Sequence, residues 1–190
     1  MSDLNNPAAQ SAKDANRDAD IRANDRNHVF HSWAAQGHID PLPIAGGQGA
    51  VMWDYHGNEY LDFSSQLVNL NLGHQHPKLV QAIIDQANTL ATVQPAMANE
   101  TRGQAAKLIA DAAPEGLNHV FFTNGGAEAV ENAVRMARQY TGRHKVMSFY
   151  RSYHGATSTA ISLTGDPRRW KNEPSDGSVV HFFGPYLYQS

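Results

Sequence analysis

The chain has 190 residues, 41% of them hydrophobic and 17% charged, with a net charge of −3 when the histidines are neutral. That is length for one domain to a domain and a half, with apolar residues enough for a core and a charge fraction low enough to imply surface meant for burial. No basic stripe points to nucleic acid, no stretch approaches the roughly 20 apolar residues that span a bilayer, and the lack of cysteine excludes disulfide frameworks and thiolate metal sites.

Residues 1–27 are mostly Asp, Asn, Arg and Ala with almost no bulky apolar side chains. They contain no apolar stretch of the kind a secretory signal needs, and read as a disordered, solvated tail. A cytoplasmic protein is the default. Order is expected from His28. Gly46, Gly47 and Gly49 mark a turn. Ala50 to Asp54 and Glu59 to Phe63 then read as a hairpin around His56-Gly57-Asn58. Pro77 suits the first turn of a helix carrying Leu79, Val80, Ile83, Ile84, Ala87 and Leu90. A second helix runs from Glu100 to Ala113 and is ended by Pro114 and Gly116.

A strand–helix–strand rhythm follows. Asn118 to Thr123 is a short apolar run read as a strand. Gly125-Gly126 turns the chain, and Ala127 to Tyr140 is helical with Ala127, Val130, Val134 and Ala137 on one face. Lys145 to Phe149 is the next strand, which makes a right-handed βαβ unit with parallel strands. A helical turn from Ala156 to Leu163 and a strand from Val179 to Phe183 complete the series. Tyr186 to Ser190 reads as a chain cut within an element.

Two loops could carry chemistry. In Thr123-Asn124-Gly125-Gly126-Ala127-Glu128 a strand ends and a helix begins. The first amides of a helix have no internal acceptor and lie at its positive dipole end, so they suit a phosphate. An ordinary connection, with Gly125 as N-cap and Glu128 closing a capping box, accounts for the same residues. It is neither a nucleotide P-loop nor a dinucleotide fingerprint, because neither motif's spacing is present. Tyr153-His154-Gly155 follows the next strand of the same sheet, and ligands collect at the carboxyl ends of such strands. Tyr153 could stack on a flat ring, or could simply pack its loop. His74 and His76 form an H-x-H pair, but no third metal ligand follows by spacing.

Together the motifs resemble class III of the pyridoxal-phosphate aminotransferases, the ω-aminotransferase group. TNGGAEAVENAVRMAR and FYRSYHG resemble that family's cofactor-binding core. Asp54, Gly57, Tyr60 and Asp62 fit its D-x-x-G-x-x-Y-x-D strand pair, and Gly73, His74, His76 and Pro77 fit its G-H-x-H-P corner. The resemblance covers residues 28 to 190 and rests on four motifs in the right order.

The resemblance implies an α/β chain of the PLP-dependent transferase fold type I, present in part. Residues 28 to 95 would be the N-terminal part of the small domain. Residues 96 to 190 would begin the large, mainly parallel-sheet domain. The cofactor would be pyridoxal 5'-phosphate. Gly125, Gly126 and Ala127 would hold its phosphate, Tyr153 would stack on its ring, and His154 would pack beside it. Many relatives carry serines where Gly125 and Ala127 stand, so those hydroxyl contacts are missing here. Leu67 and Val68 would line the substrate pocket together with Tyr153. Val68 stands where some amine-accepting members carry Trp. His74 and His76 become structural.

The implied reaction moves an amino group from a primary amine or ω-amino acid to a 2-oxo acid, in a homodimer. An aminomutase or racemase on the same scaffold, or a noncatalytic truncated remnant, are the alternatives. The reaction needs a lysine that forms a Schiff base with the cofactor aldehyde. The chain's lysines are Lys13, Lys78, Lys107, Lys145 and Lys171. None has the family's lysine context, so the catalytic lysine is expected past residue 190 and this stretch alone is expected to be inactive.

Overall fold

The computed structural model describes residues 15–172, 177–185 and 187–188. The described residues divide into two compact units, one ending at Met97 and the other beginning at Ala98.

The N-terminal unit opens with helix α1, Ala15–His28. This corrects the tail reading over residues 15–27; residues 1–14 lie outside the described residues. The helix has no apolar stripe, which is why periodicity does not find it. Polar contacts fix it instead. Arg22 Nε donates to Asp18 at 2.9 Å one turn back, and Arg22 Nη1 reaches Asp40 Oδ1 at 3.2 Å and the Pro41 carbonyl at 3.0 Å. Arg17 lies over the Tyr55 ring, 5.4 Å from its centroid.

Three antiparallel strands follow in the order β1, β2, β3: Ile44–Gln48, Val51–Asp54 and Glu59–Leu61. The glycines expected to form a turn partly belong to β1. Gly46 lies so close to the Trp53 ring that a Cβ would come within 2.7 Å of it, and a Cβ on Gly47 would meet the His74 ring at 3.1 Å. These glycines permit close approach within a bulged strand rather than ending it. The β2–β3 turn is built on Asp54. Its carboxylate is buried and accepts from the amides of His56 and Asn58, the Asn58 side chain and the Tyr60 hydroxyl, all within 2.8–2.9 Å. Helix α2, Pro77–Thr89, starts on Pro77, whose missing N–H costs nothing at that position.

The C-terminal unit begins with helix α3, Glu100–Ala112, capped by the Asn99 side chain, which accepts from the Arg102 amide at 3.0 Å. Helix α4, Gly126–Thr141, stops at Gly142, whose φ of +67° places it in the left-handed region that closes helices. Strands β4, Val146–Phe149, and β5, Val179–Phe182, run parallel. Helix α5, Ser158–Leu163, and a 3-10 turn, Pro167–Asn172, connect them. The buried residues gather on α5 and its end: Ala160, Ile161, Ser162, Leu163 and Thr164, with Val134 from α4 and Ser148 from β4.

Asn118 to Thr123 is not a strand. A strand exists by pairing, and no described strand pairs with this run. Phe121 and Phe122 on it are exposed. The parallel connection is therefore β4–α5–β5, not the expected unit built across α4. Of the terminal residues read as a cut element, Tyr186, Gln189 and Ser190 lie outside the described residues.

Candidate active site

The Gly125–Gly126 turn leads into α4 with Gly125 extended, at φ −173° and ψ 170°. The Thr123 hydroxyl donates to the Gly125 carbonyl at 3.1 Å, and the Ala129 amide donates to the same carbonyl at 3.0 Å, making the first helical bond. Glu128 does not close a capping box on Gly125. It reaches one residue further back and accepts from the Asn124 amide at 2.9 Å and the Asn124 side chain at 3.1 Å. The carboxylate thus fixes the approach to the turn. The amides of Gly126, Ala127 and Glu128 begin the helix and have no acceptor within it. Nothing lies within 4 Å of a Cβ placed on Gly125 or Gly126. Among the described residues no side chain crowds the two glycines, and the unbonded amides lie at the positive end of a 16-residue helix, an arrangement that suits a phosphate group.

The second loop follows β4. Tyr153 is half-exposed, and the Arg168 guanidinium covers one face of its ring at 4.1 Å from the centroid. Arg168 is held by Asp166, to which its Nε donates at 2.9 and 3.0 Å. Asp166 ionises more readily than an ordinary carboxyl, chiefly through this bond. The His154 amide donates to the buried Thr164 hydroxyl at 3.1 Å. The Ser148 hydroxyl donates to the Leu163 carbonyl at 2.6 Å and also meets His154 Nε2 at 3.3 Å. Since the one hydroxyl proton of Ser148 is used on Leu163, Nε2 is the donor in that contact.

Gly155 joins the two loops. Its φ is +132°, and a Cβ on it would lie 2.6 Å from the Ala127 Cβ and 3.1 Å from the Ala160 Cβ. Gly125, Gly126, Ala127, Tyr153 and His154 thus all belong to one small region of the C-terminal unit.

Leu67 and Val68 belong to the N-terminal unit, on an irregular turn, Ser65–Val68. Both are exposed. Ser65, Gln66 and Val68 have φ of 52°, 63° and 60°, values that are strained for a β-branched residue such as Val68. His74 Nε2 is committed to Asp62 at 2.8 Å, and the His74 backbone exchanges two hydrogen bonds with Gly49. Among the described residues no three His, Cys, Asp or Glu side chains are grouped to hold a metal.

Sequence reading misses Arg168, Ser148 and Glu131. Glu131 Oε1 accepts from the Thr157 hydroxyl at 2.7 Å, the Thr159 amide at 2.7 Å and the Ala160 amide at 3.1 Å. These partners lie 26 to 29 residues away in sequence, so no local spacing signals them.

The class-III aminotransferase family model matches residues 33–185. The chain belongs to this family. It is 42% identical over 142 residues to an acetylornithine aminotransferase of Methanopyrus kandleri, covering 75% of this chain and 36% of that one. It is 38% identical over 149 residues to a probable 4-aminobutyrate aminotransferase of Bacillus subtilis, covering 75% and 34%. Among solved structures, the taurine:2-oxoglutarate aminotransferase of Bifidobacterium kashiwanohense, in complex with pyridoxal phosphate and glutamate, superposes with a TM-score of 0.86 at 43% identity, over 90% of this chain and 39% of that chain. The chain thus spans little more than a third of the length of these relatives. Its α/β fold with a parallel strand pair is the matching part of the fold type I transferase architecture, and pyridoxal phosphate is the cofactor of the family.

Proposed function

We propose that the complete protein transfers an amino group from a primary amine or ω-amino acid to a 2-oxo acid, with pyridoxal phosphate held by the two loops described above. The observation that carries this reading is the contact of Gly155 on Ala127, which fastens an aromatic residue beside a set of open helix amides. In this reading the N-terminal unit is the start of the small domain, and the unit from Ala98 begins the large one.

Bound pyridoxal phosphate supplies an aldehyde that takes up the amino group and a ring that accepts electron density. The amides of Gly126, Ala127 and Glu128 bind and orient the phosphate. Gly125 and Ala127 bring no hydroxyl to help them, so the grip rests on backbone and dipole. Tyr153 is the ring assigned to stack on the cofactor, and the Arg168 guanidinium, itself held by Asp166, lies over it. His154, anchored through Ser148 and Thr164, keeps that loop in place. By the family resemblance Leu67 and Val68 are assigned to the binding of the amino donor, and the strain at Val68 fits a residue held for function.

The lysine that moves the proton is assigned to sequence outside this chain, which alone would then be inactive. A homodimer and a cytoplasmic location belong to the same reading, on the family resemblance.

The test is an assay of the full-length protein with taurine, 4-aminobutyrate or acetylornithine as donor and pyruvate or 2-oxoglutarate as acceptor. Formation of alanine or glutamate is expected. Racemisation or amino migration without transfer would contradict the reading.

A further inference from the structure

Helix α5 has an unusual cap. Its N-cap residue is Thr157, a good capping type, yet the Thr157 side chain makes no capping bond. Instead the hydroxyl donates to Glu131 of α4, and the same Glu131 oxygen accepts from the Thr159 and Ala160 amides. Those are the second and third amides of α5, the donors a cap normally satisfies. The cap is therefore supplied in trans by the helix that starts at the proposed phosphate turn.

This matters because α5 anchors the Tyr153 loop. Gly155 rests on Ala160, and the His154 amide is held by Thr164 at the far end of α5. Gly155 also rests on Ala127, in the first turn of α4. Glu131 is thus a second tie between the two cofactor loops, one turn along α4 from the first. Part-burial would raise its carboxyl, but the bonds from Thr157, Thr159 and Ala160 prevail and hold it below the usual range. It is a charged acceptor throughout the neutral range.

We propose that Glu131 is a positioning residue for the cofactor: by capping α5 from α4 it holds the Tyr153–Gly155 loop in register with the Gly125–Ala127 turn. The proposal rests on the assignment of those loops to pyridoxal phosphate. Without the carboxylate, two amides of α5 lose their shared acceptor, and the aligned state of the loops becomes one of several. Apparent affinity for the cofactor then falls in proportion to the fraction still aligned.

The experiment uses the full-length protein freed of cofactor. Pyridoxal phosphate is titrated against wild type, Glu131→Ala and Glu131→Gln, following the visible circular dichroism of the bound ring. Glu131→Ala is expected to raise Kd about tenfold and to weaken the dichroism, because the aligned fraction drops. Glu131→Gln keeps an oxygen acceptor for the same donors and is expected to stay within about threefold of wild type. Wild-type Kd and dichroism in Glu131→Ala would overturn the proposal and leave the site assignment standing. Should Glu131→Ala fail to fold, Thr157→Val, which removes one donor to that oxygen, is expected to raise Kd about threefold; unchanged Kd and dichroism there would overturn it equally. A wild-type protein that binds no pyridoxal phosphate would instead overturn the site assignment itself.

Discussion

Gly155 lies against Ala127 so closely that a Cβ on it would come within 2.6 Å of the Ala127 Cβ. One residue from the loop after β4 thereby fixes the distance between that loop and the first turn of α4. The contact also needs a backbone φ of +132°, which side chains other than hydrogen disfavour. Gly155→Ala meets both obstacles, and is expected to destabilise the full-length protein by about 1–3 kcal/mol and to loosen its cofactor. Thermal unfolding with and without pyridoxal phosphate measures both effects. A variant as stable and as tightly loaded as wild type would show that the loops do not depend on this contact.

Gly126 should behave in the opposite way. A Cβ there meets nothing within 4 Å, and the residue begins a helix. Gly126→Ala is expected to leave the cofactor-free protein as stable as wild type or up to about 1 kcal/mol more stable, through helix propensity and reduced unfolded-state freedom. It should nevertheless weaken pyridoxal phosphate, since the methyl group occupies space needed by an anion approaching the amides. Chemical denaturation of the cofactor-free form and a cofactor titration separate the two signs. Equal or tighter binding of the cofactor would argue against a phosphate at this turn.

The Asp54 turn sets a pH dependence for the N-terminal unit. Burial pushes the Asp54 carboxyl up, but the bonds from Asn58, Tyr60 and His56 outweigh it and hold the group far below the ordinary carboxylate range. A depressed folded-state pKa gives stability that is fully present above the ordinary value of 3.8 and is lost as pH falls towards the folded value. The Tyr60 hydroxyl, bonded to Asp54, is raised above 10.0. Its share is present below that pH and lost as pH rises through the raised value. Denaturant titrations of wild type and Asp54→Asn should differ by a constant amount near neutrality, and the difference should shrink below about pH 4. A difference that does not change on acidification would mean that the turn draws nothing from ionised Asp54.

The two loops proposed to hold the cofactor stand out in the sequence because their signals are local: Gly125-Gly126 before an amphipathic helix, and Tyr153-His154-Gly155 after an apolar strand. Helices α2, α3 and α4 were legible for the same reason, from apolar spacing with Pro77 and Gly142 as boundaries. What escaped sequence reading depends on partners distant in sequence. Helix α1 is held by Asp40 and Pro41 rather than by an apolar face. Gly46 belongs to a strand because it faces Trp53. Asn118 to Thr123 has strand composition but no described ladder partner. Glu131 looks like a solvated helix residue until α5 is placed against it. The left-handed turn at Gln66 and Val68 carries no glycine to announce it.

Open helix amides at Gly126 and Ala127 are proposed to hold pyridoxal phosphate by its phosphate group. The most direct measurement compares the affinity of the cofactor-free, full-length protein for pyridoxal phosphate and for pyridoxal, which has the same ring and aldehyde but no phosphate. Two or more hydrogen bonds to a charged group predict a preference of at least about 100-fold for pyridoxal phosphate. Equal affinity for the two compounds would contradict the claim.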